Sequence, residues 1–143
     1  MKTRKKALIL FLVGIIMFSS LCQPVQAESE GLRYNYVSTV QSVPSVDSSG
    51  YLYIAISYTG YNGITTGAKI TTYVQKRILG IFWSRVNNGQ PNNEWVDNVS
   101  GWSYHGHHEL QLPSTGKYRI TSEFTIYAAT GSEPITCQST VTY

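Results

Sequence analysis

The chain has 143 residues, with 11 Lys and Arg against 8 Asp and Glu, 11 Tyr, 3 Trp and 2 Cys. Its formal charge of +3 is an end effect: Lys2, Arg4, Lys5 and Lys6 lie together at the N-terminus, and residues 28–143 carry seven basic against eight acidic side chains. A near-neutral stretch of 116 residues has room for one modest core, and it offers no electrostatic case for nucleic acid or for an anionic membrane as partner.

In chain order, the basic cluster precedes an apolar run from Ala7 to Leu21, and Val25-Gln26-Ala27 offers small or aliphatic residues where a signal peptidase reads. This predicts a signal peptide over 1–27, cleavage before Glu28, and a secreted, extracellular domain over 28–143. The apolar run is shorter than the roughly 20 residues that span a bilayer, so no membrane attachment is expected after cleavage. Leu21 is too large for the position before a lipidated Cys22. On this reading Cys22 departs with the leader and Cys137 is alone, so no internal disulfide is expected. Cys137 falls on the Ile135–Val141–Tyr143 side of the last strand, as a buried, inert thiol. An intermolecular disulfide or a reactive thiol is the alternative.

The remainder alternates apolar and polar residues, the period of half-buried strands, and no segment shows a helical period. Leu32 to Val43 is a loosely alternating strand ended by Pro44. Tyr51 to Thr59 places Leu52, Ile54, Ile56 and Tyr58 inward and Tyr51, Tyr53, Ala55 and Ser57 outward. Gly60-Tyr61-Asn62-Gly63 is a turn. Ala68 to Ile78 puts Ile70, Thr72 and Val74 on one side, with Lys69, Thr71, Tyr73 and Gln75 on the other. Leu79-Gly80 is a hairpin tip that returns through Ile81 to Val86. Asn87 to Asn93 is a polar loop, and Trp95 to Val99 a short edge strand. Trp102 to Leu112 and Tyr118 to Tyr127 are expected to be adjacent strands. Thr130–Pro134 is a turn, and Ile135 to Tyr143 is the final strand. Seven to nine short strands in one domain, with Trp83 and Trp102 in its core, argue for an all-β antiparallel sandwich or barrel.

The stretch Leu112-Pro113-Ser114-Thr115-Gly116 spells a sortase sorting signal. A strand pair follows it, with no basic residue after Arg119, so sorting is not expected. Gly116 two residues before Tyr118, with Leu112 six before it, resembles instead the tyrosine corner of immunoglobulin-like sandwiches. That resemblance implies a Tyr118 hydroxyl bonded upstream, and Ile120 stands where the second cysteine of that fold would be. The run Val74-Gln75-Lys76, Trp83, Gly116-Lys117-Tyr118-Arg119 and Ser139 to Tyr143 also resembles small secreted proteins of Gram-positive bacteria whose family has no assigned function. It implies fold and export, and no mechanism.

Candidate chemistry is sparse. His105, His107 and Glu109 alternate along one strand and project from one face, alternate residues lying about 6.5–7 Å apart. Two imidazoles at that spacing suit a shared metal, but zinc or copper takes three or four ligands and His108 points the opposite way. A solvated polar face is the plainer account. Tyr51, Tyr53, Tyr73 and Tyr127 face outward and Trp95 flanks an Asn/Gln loop, a set suited to sugar rings or to a protein surface. The plainer account there is that tyrosine is simply a good strand former. Glu94 and Asp97 have no acid/base spacing, and neither a GxSxG elbow nor a phosphate-cradling loop occurs. Asn98-Val99-Ser100 has the form of a glycosylation sequon. No cofactor is implied. The expectation is a non-catalytic secreted module binding cell-wall glycan or an extracellular protein, with self-assembly through an edge strand as the alternative and metal binding third.

Overall fold

In the computed structural model, which describes residues 34–143, the alternating runs form eight strands. They are β1 (Val37–Val46), β2 (Tyr51–Gly60), β3 (Thr65–Ile78), β4 (Phe82–Arg85), β5 (Trp95–Ser100), β6 (Ser103–Gln111), β7 (Lys117–Ala128) and β8 (Gly131–Thr142). A single 3₁₀ turn, Pro91–Asn93, interrupts the polar loop. The predicted leader, its cleavage site and Cys22 lie outside the described residues. Among the described residues no helix is long and apolar enough to cross a membrane.

Two antiparallel sheets result, β1-β2-β6 and β4-β3-β7-β8, and β5 shares with β4 the outer edge of β3. β3 is long enough, at 14 residues, to pair β5 along Gly67–Thr72 and β4 along Gln75–Ile78. The inward sides of the two sheets pack Leu52, Ile54, Ile56 and Tyr58 against Ile70, Val74, Ile120, Phe124, Ile126 and Ile135, each 2 % exposed or less. Each such side chain contributes roughly 1.5–3 kcal/mol by leaving water. The order β1-β2-β6 facing β3-β7-β8 is that of the A-B-E and C-F-G strands of immunoglobulin-like sandwiches.

Polar pins complete this core. Ser42 on β1, Thr72 on β3 and Ser122 on β7 are all buried. The Ser122 hydroxyl lies 2.8 Å from that of Ser42 and 3.0 Å from that of Thr72, linking the two sheets through three hydroxyls. At the corner, the Tyr118 hydroxyl donates to the Ser114 carbonyl, and Gly116 exchanges two backbone bonds with Tyr143. Gly116 holds φ +148°, and a Cβ there would press on the Lys76 side chain.

Several expectations are corrected. β6 and β7 are not neighbours in one sheet: β6 pairs β2 and β7 pairs β3 and β8, because the corner carries the chain across the sandwich. Pro44 does not end β1, and Pro134 lies inside β8 rather than in a turn. Both strands are sheet edges, where a missing N–H can face outward. Trp83 and Trp102 are not core. Trp83 pairs with Arg77 and shares its outer face, and Trp102, 43 % exposed, sits in the β5–β6 connection beyond the strand alternation. Cys137 is buried, and it is not a free thiol.

Candidate functional site

The five outward aromatics singled out from the sequence fall in different places. Tyr51 and Tyr53 share the outer face of the three-stranded sheet, 40 % and 39 % exposed. The Tyr51 hydroxyl donates to Glu109 Oε2 at 2.5 Å, and that bond to a carboxylate raises the Tyr51 pKa. Tyr53 stacks on His107 with ring centroids 5.0 Å apart and planes 20° from parallel. Next along β2 come two small residues: Ala55, between Val43 and His107, and Ser57, between Gln41 and His105. The register therefore builds a low floor of Ala55 and Ser57, with imidazoles on one side and a Tyr53–His107 wall at one end. No Lys or Arg occurs on β1, β2 or β6.

The outer face of the larger sheet is different because its own side chains cover it. The Arg85 guanidinium lies 3.5 Å from the Tyr73 ring centroid and donates to Glu94 at 2.7 Å. The Tyr73 hydroxyl donates to Glu123 at 3.2 Å, and burial, followed by the Glu123 charge, raises its pKa. Arg119 lies 4.4 Å from the Trp83 ring and donates twice to Gln75 Oε1. Beneath these side chains Thr121 is buried. Tyr73 is thus already engaged by a cation. Tyr127 is exposed on the same face but opposite Gly67, at the far end from Trp83.

Trp95 is neither exposed nor free to stack on a ligand. It lies half-buried against the core and parallel to the His108 ring, 4.8 Å between centroids and 6° between planes. His108 Nε2 lies 2.7 Å from Asp97 Oδ2, joining β6 of one sheet to β5 of the other. Tyr104, also on the inward side of β6, has its pKa raised by burial and by the Asp97 charge. Glu94 and Asp97, three apart in sequence, serve different partners and form no acid/base pair.

His105, His107 and Glu109 are exposed alternate residues of β6, yet they do not assemble a metal centre. Among the described residues no group of three or more His, Cys, Asp or Glu stands close enough to hold an ion. His107 is engaged by Tyr53, Glu109 by Tyr51, and their nearest ring nitrogen and oxygen lie 3.8 Å apart. A cleft of about 290 Å³ opens between β4 and the corner, with Lys76, Ser84, Asn87, Gln111 and Pro113 in its lining. The Ser42–Thr72–Ser122 trio and the His108–Asp97–Trp95 link escaped the sequence reading. Only the inward parity of Ser122 and His108 hinted at them. Comparison with known protein families and with curated proteins finds no match, so the functional reading rests on the site itself.

Proposed function

We propose that this chain is an exported, non-catalytic binding module that takes a neutral, hydroxyl-rich glycan on the outer face of its three-stranded sheet. The observation that carries the reading is the Tyr53–His107 stack rising beside the Ala55–Ser57 floor. A sugar ring needs an aromatic wall for its C–H face and nearby polar groups for its hydroxyls. Imidazoles, Ser57, the Gln41 amide and the Glu109 carboxylate supply the second requirement. The absence of Lys and Arg from this sheet's strands favours an uncharged ligand over an anionic one. An extracellular protein surface is the second reading, and the same exposed tyrosines support it. Self-assembly by strand addition is the alternative, and of the edge strands β1 and β8 each carry a proline that blunts them.

The test is a pelleting assay with purified cell wall and insoluble polysaccharides. Wild-type protein is expected in the pellet with at least one of them. Tyr53→Ala is expected to weaken binding about tenfold, the scale of a central aromatic contact, without lowering the melting temperature. A supernatant that retains the protein with every polysaccharide overturns the glycan reading.

A further inference from the structure

A second exposed feature lies at the opposite end of the charge distribution. The β3–β4 hairpin turns through Leu79 and Gly80, at φ +51° and +71°, with Ile81 N–H closing onto the Ile78 carbonyl. Around this turn Ile78, Leu79, Ile81 and Phe82 are 40 %, 83 %, 72 % and 64 % exposed. Leu79 occupies a left-handed backbone conformation that Asn or Gly adopts with less strain, so the chain holds an apolar side chain in water at a conformational cost. A hairpin that docks on a protein presents one apolar face and keeps the other polar, following the strand period. Here Ile78 and Phe82 pair on one face, Leu79 and Ile81 continue the apolar surface around the turn, and Trp83 follows on the other face, which suits a medium that surrounds the tip.

Behind the tip lies a basic collar. Of the six Lys and Arg among the described residues, Lys76, Arg77 and Arg85 flank the hairpin, and Lys117 and Arg119 open β7 beside Lys76 and Gln75. Among these six only Arg85 is ion-paired, with Glu94, and Glu123 is engaged by Tyr73. Trp83 sits within the collar, paired with Arg77 one position back from the Ile78–Phe82 tip, with Arg119 at 4.4 Å and Arg77 at 6.0 Å from its ring. The apolar tip comes first, and Trp83 lies level with the first basic residue behind it, which matches the environments met on entering a bilayer.

The geometry points to the β3–β4 hairpin as a membrane-insertion tip, with Leu79, Ile81 and Phe82 entering the acyl boundary of a bilayer whose anionic headgroups meet Arg77, Lys117 and Arg119. This revises the expectation drawn from net charge: seven basic and eight acidic residues nearly cancel in sum, but the basic ones are gathered on one sheet. Attraction to a surface depends on that local field.

The experiment is co-sedimentation of the protein, expressed with its own N-terminal segment and recovered as naturally processed, with phosphatidylcholine vesicles lacking or containing phosphatidylglycerol. Binding is expected only with the anionic lipid, and it should weaken as salt rises from about 0.1 M to about 0.5 M and the Debye length shrinks. Leu79→Ser with Ile81→Ser should weaken it about tenfold or more while leaving the melting temperature unchanged, since both side chains already face solvent. Brominated acyl chains should quench tryptophan fluorescence, and Trp83→Phe should remove most of that quenching, which ties the signal to the tip and not to the N-terminus. Equal binding by the double variant, or no quenching of Trp83, overturns the proposal. A concentration-dependent dimer abolished by the same double variant, without vesicle binding, also overturns it and assigns the tip to a second copy of the chain.

Discussion

Ser122 places a hydroxyl where the alternation of β7 calls for an apolar side chain, and its two bonds make it the centre of the polar link between sheets. Removing it leaves the Ser42 and Thr72 hydroxyls buried without that partner, so Ser122→Ala is expected to cost about 1–3 kcal/mol. Replacing all three together with Ala, Val and Ala removes the stranded groups as well and should recover most of the loss. Both outcomes are read from the urea midpoint at unchanged slope. At the β1–β2 turn, the Ser49 hydroxyl and then the Tyr51 amide hold the Asp47 carboxyl below its ordinary value of 3.8. The folded chain therefore binds that proton less tightly than the unfolded one. Its contribution is present above pH 3.8 and lost as pH falls below it. Asp47→Asn is expected to flatten acid unfolding in that window, as followed by circular dichroism.

At the scale of elements, β5 is six residues long and attaches to the sandwich through one ladder on β3 and the His108–Asp97 bond to β6. Asp97→Ala is expected to cost about 1–2 kcal/mol and to raise amide exchange across Trp95–Ser100 before the rest of the domain opens. Trp95→Ala should show the same local opening, because its ring rests on His108, and it should leave polysaccharide pelleting intact. A binding loss at Trp95 with no change in exchange would return that residue to the ligand site. The turn of β3 into β4 was legible from Leu79-Gly80, since glycine tolerates the positive φ that a tight hairpin needs. The apolar character of its flanks was legible too, but the exposure of Ile81 and Phe82 was not, because the short returning strand shows no clear alternation.

Over the whole molecule, the sandwich separates its chemistry by sheet. Tyr51, Tyr53 and the exposed imidazoles occupy a sheet whose strands carry no Lys or Arg, and all six described Lys and Arg lie on β3, β4 and β7. The β6–β7 corner produces this separation. By sending consecutive strands to opposite sheets, it puts His107 and Arg119, twelve residues apart, on opposite outer surfaces. The two proposed contacts, glycan on one sheet and lipid at one hairpin tip, thus use surfaces that do not overlap.

Strand identity, inward parity and most of the core followed from the period-2 pattern, because each strand buries one face and local alternation records which one. The exposure of Tyr51, Tyr53, His105 and His107 followed for the same reason. What a sequence period cannot encode is which strand lies beside which, and every functional distinction here depends on that. Pairing put Arg85 onto Tyr73, set His108 against Asp97 and Trp95, and turned Trp83 outward to Arg119. It left Tyr53 and His107 stacked together above a floor of small residues. Those contacts join residues 11 to 54 positions apart, and only strand pairing, with the packing of sheet on sheet for His108 and Asp97, brings them within reach of one another.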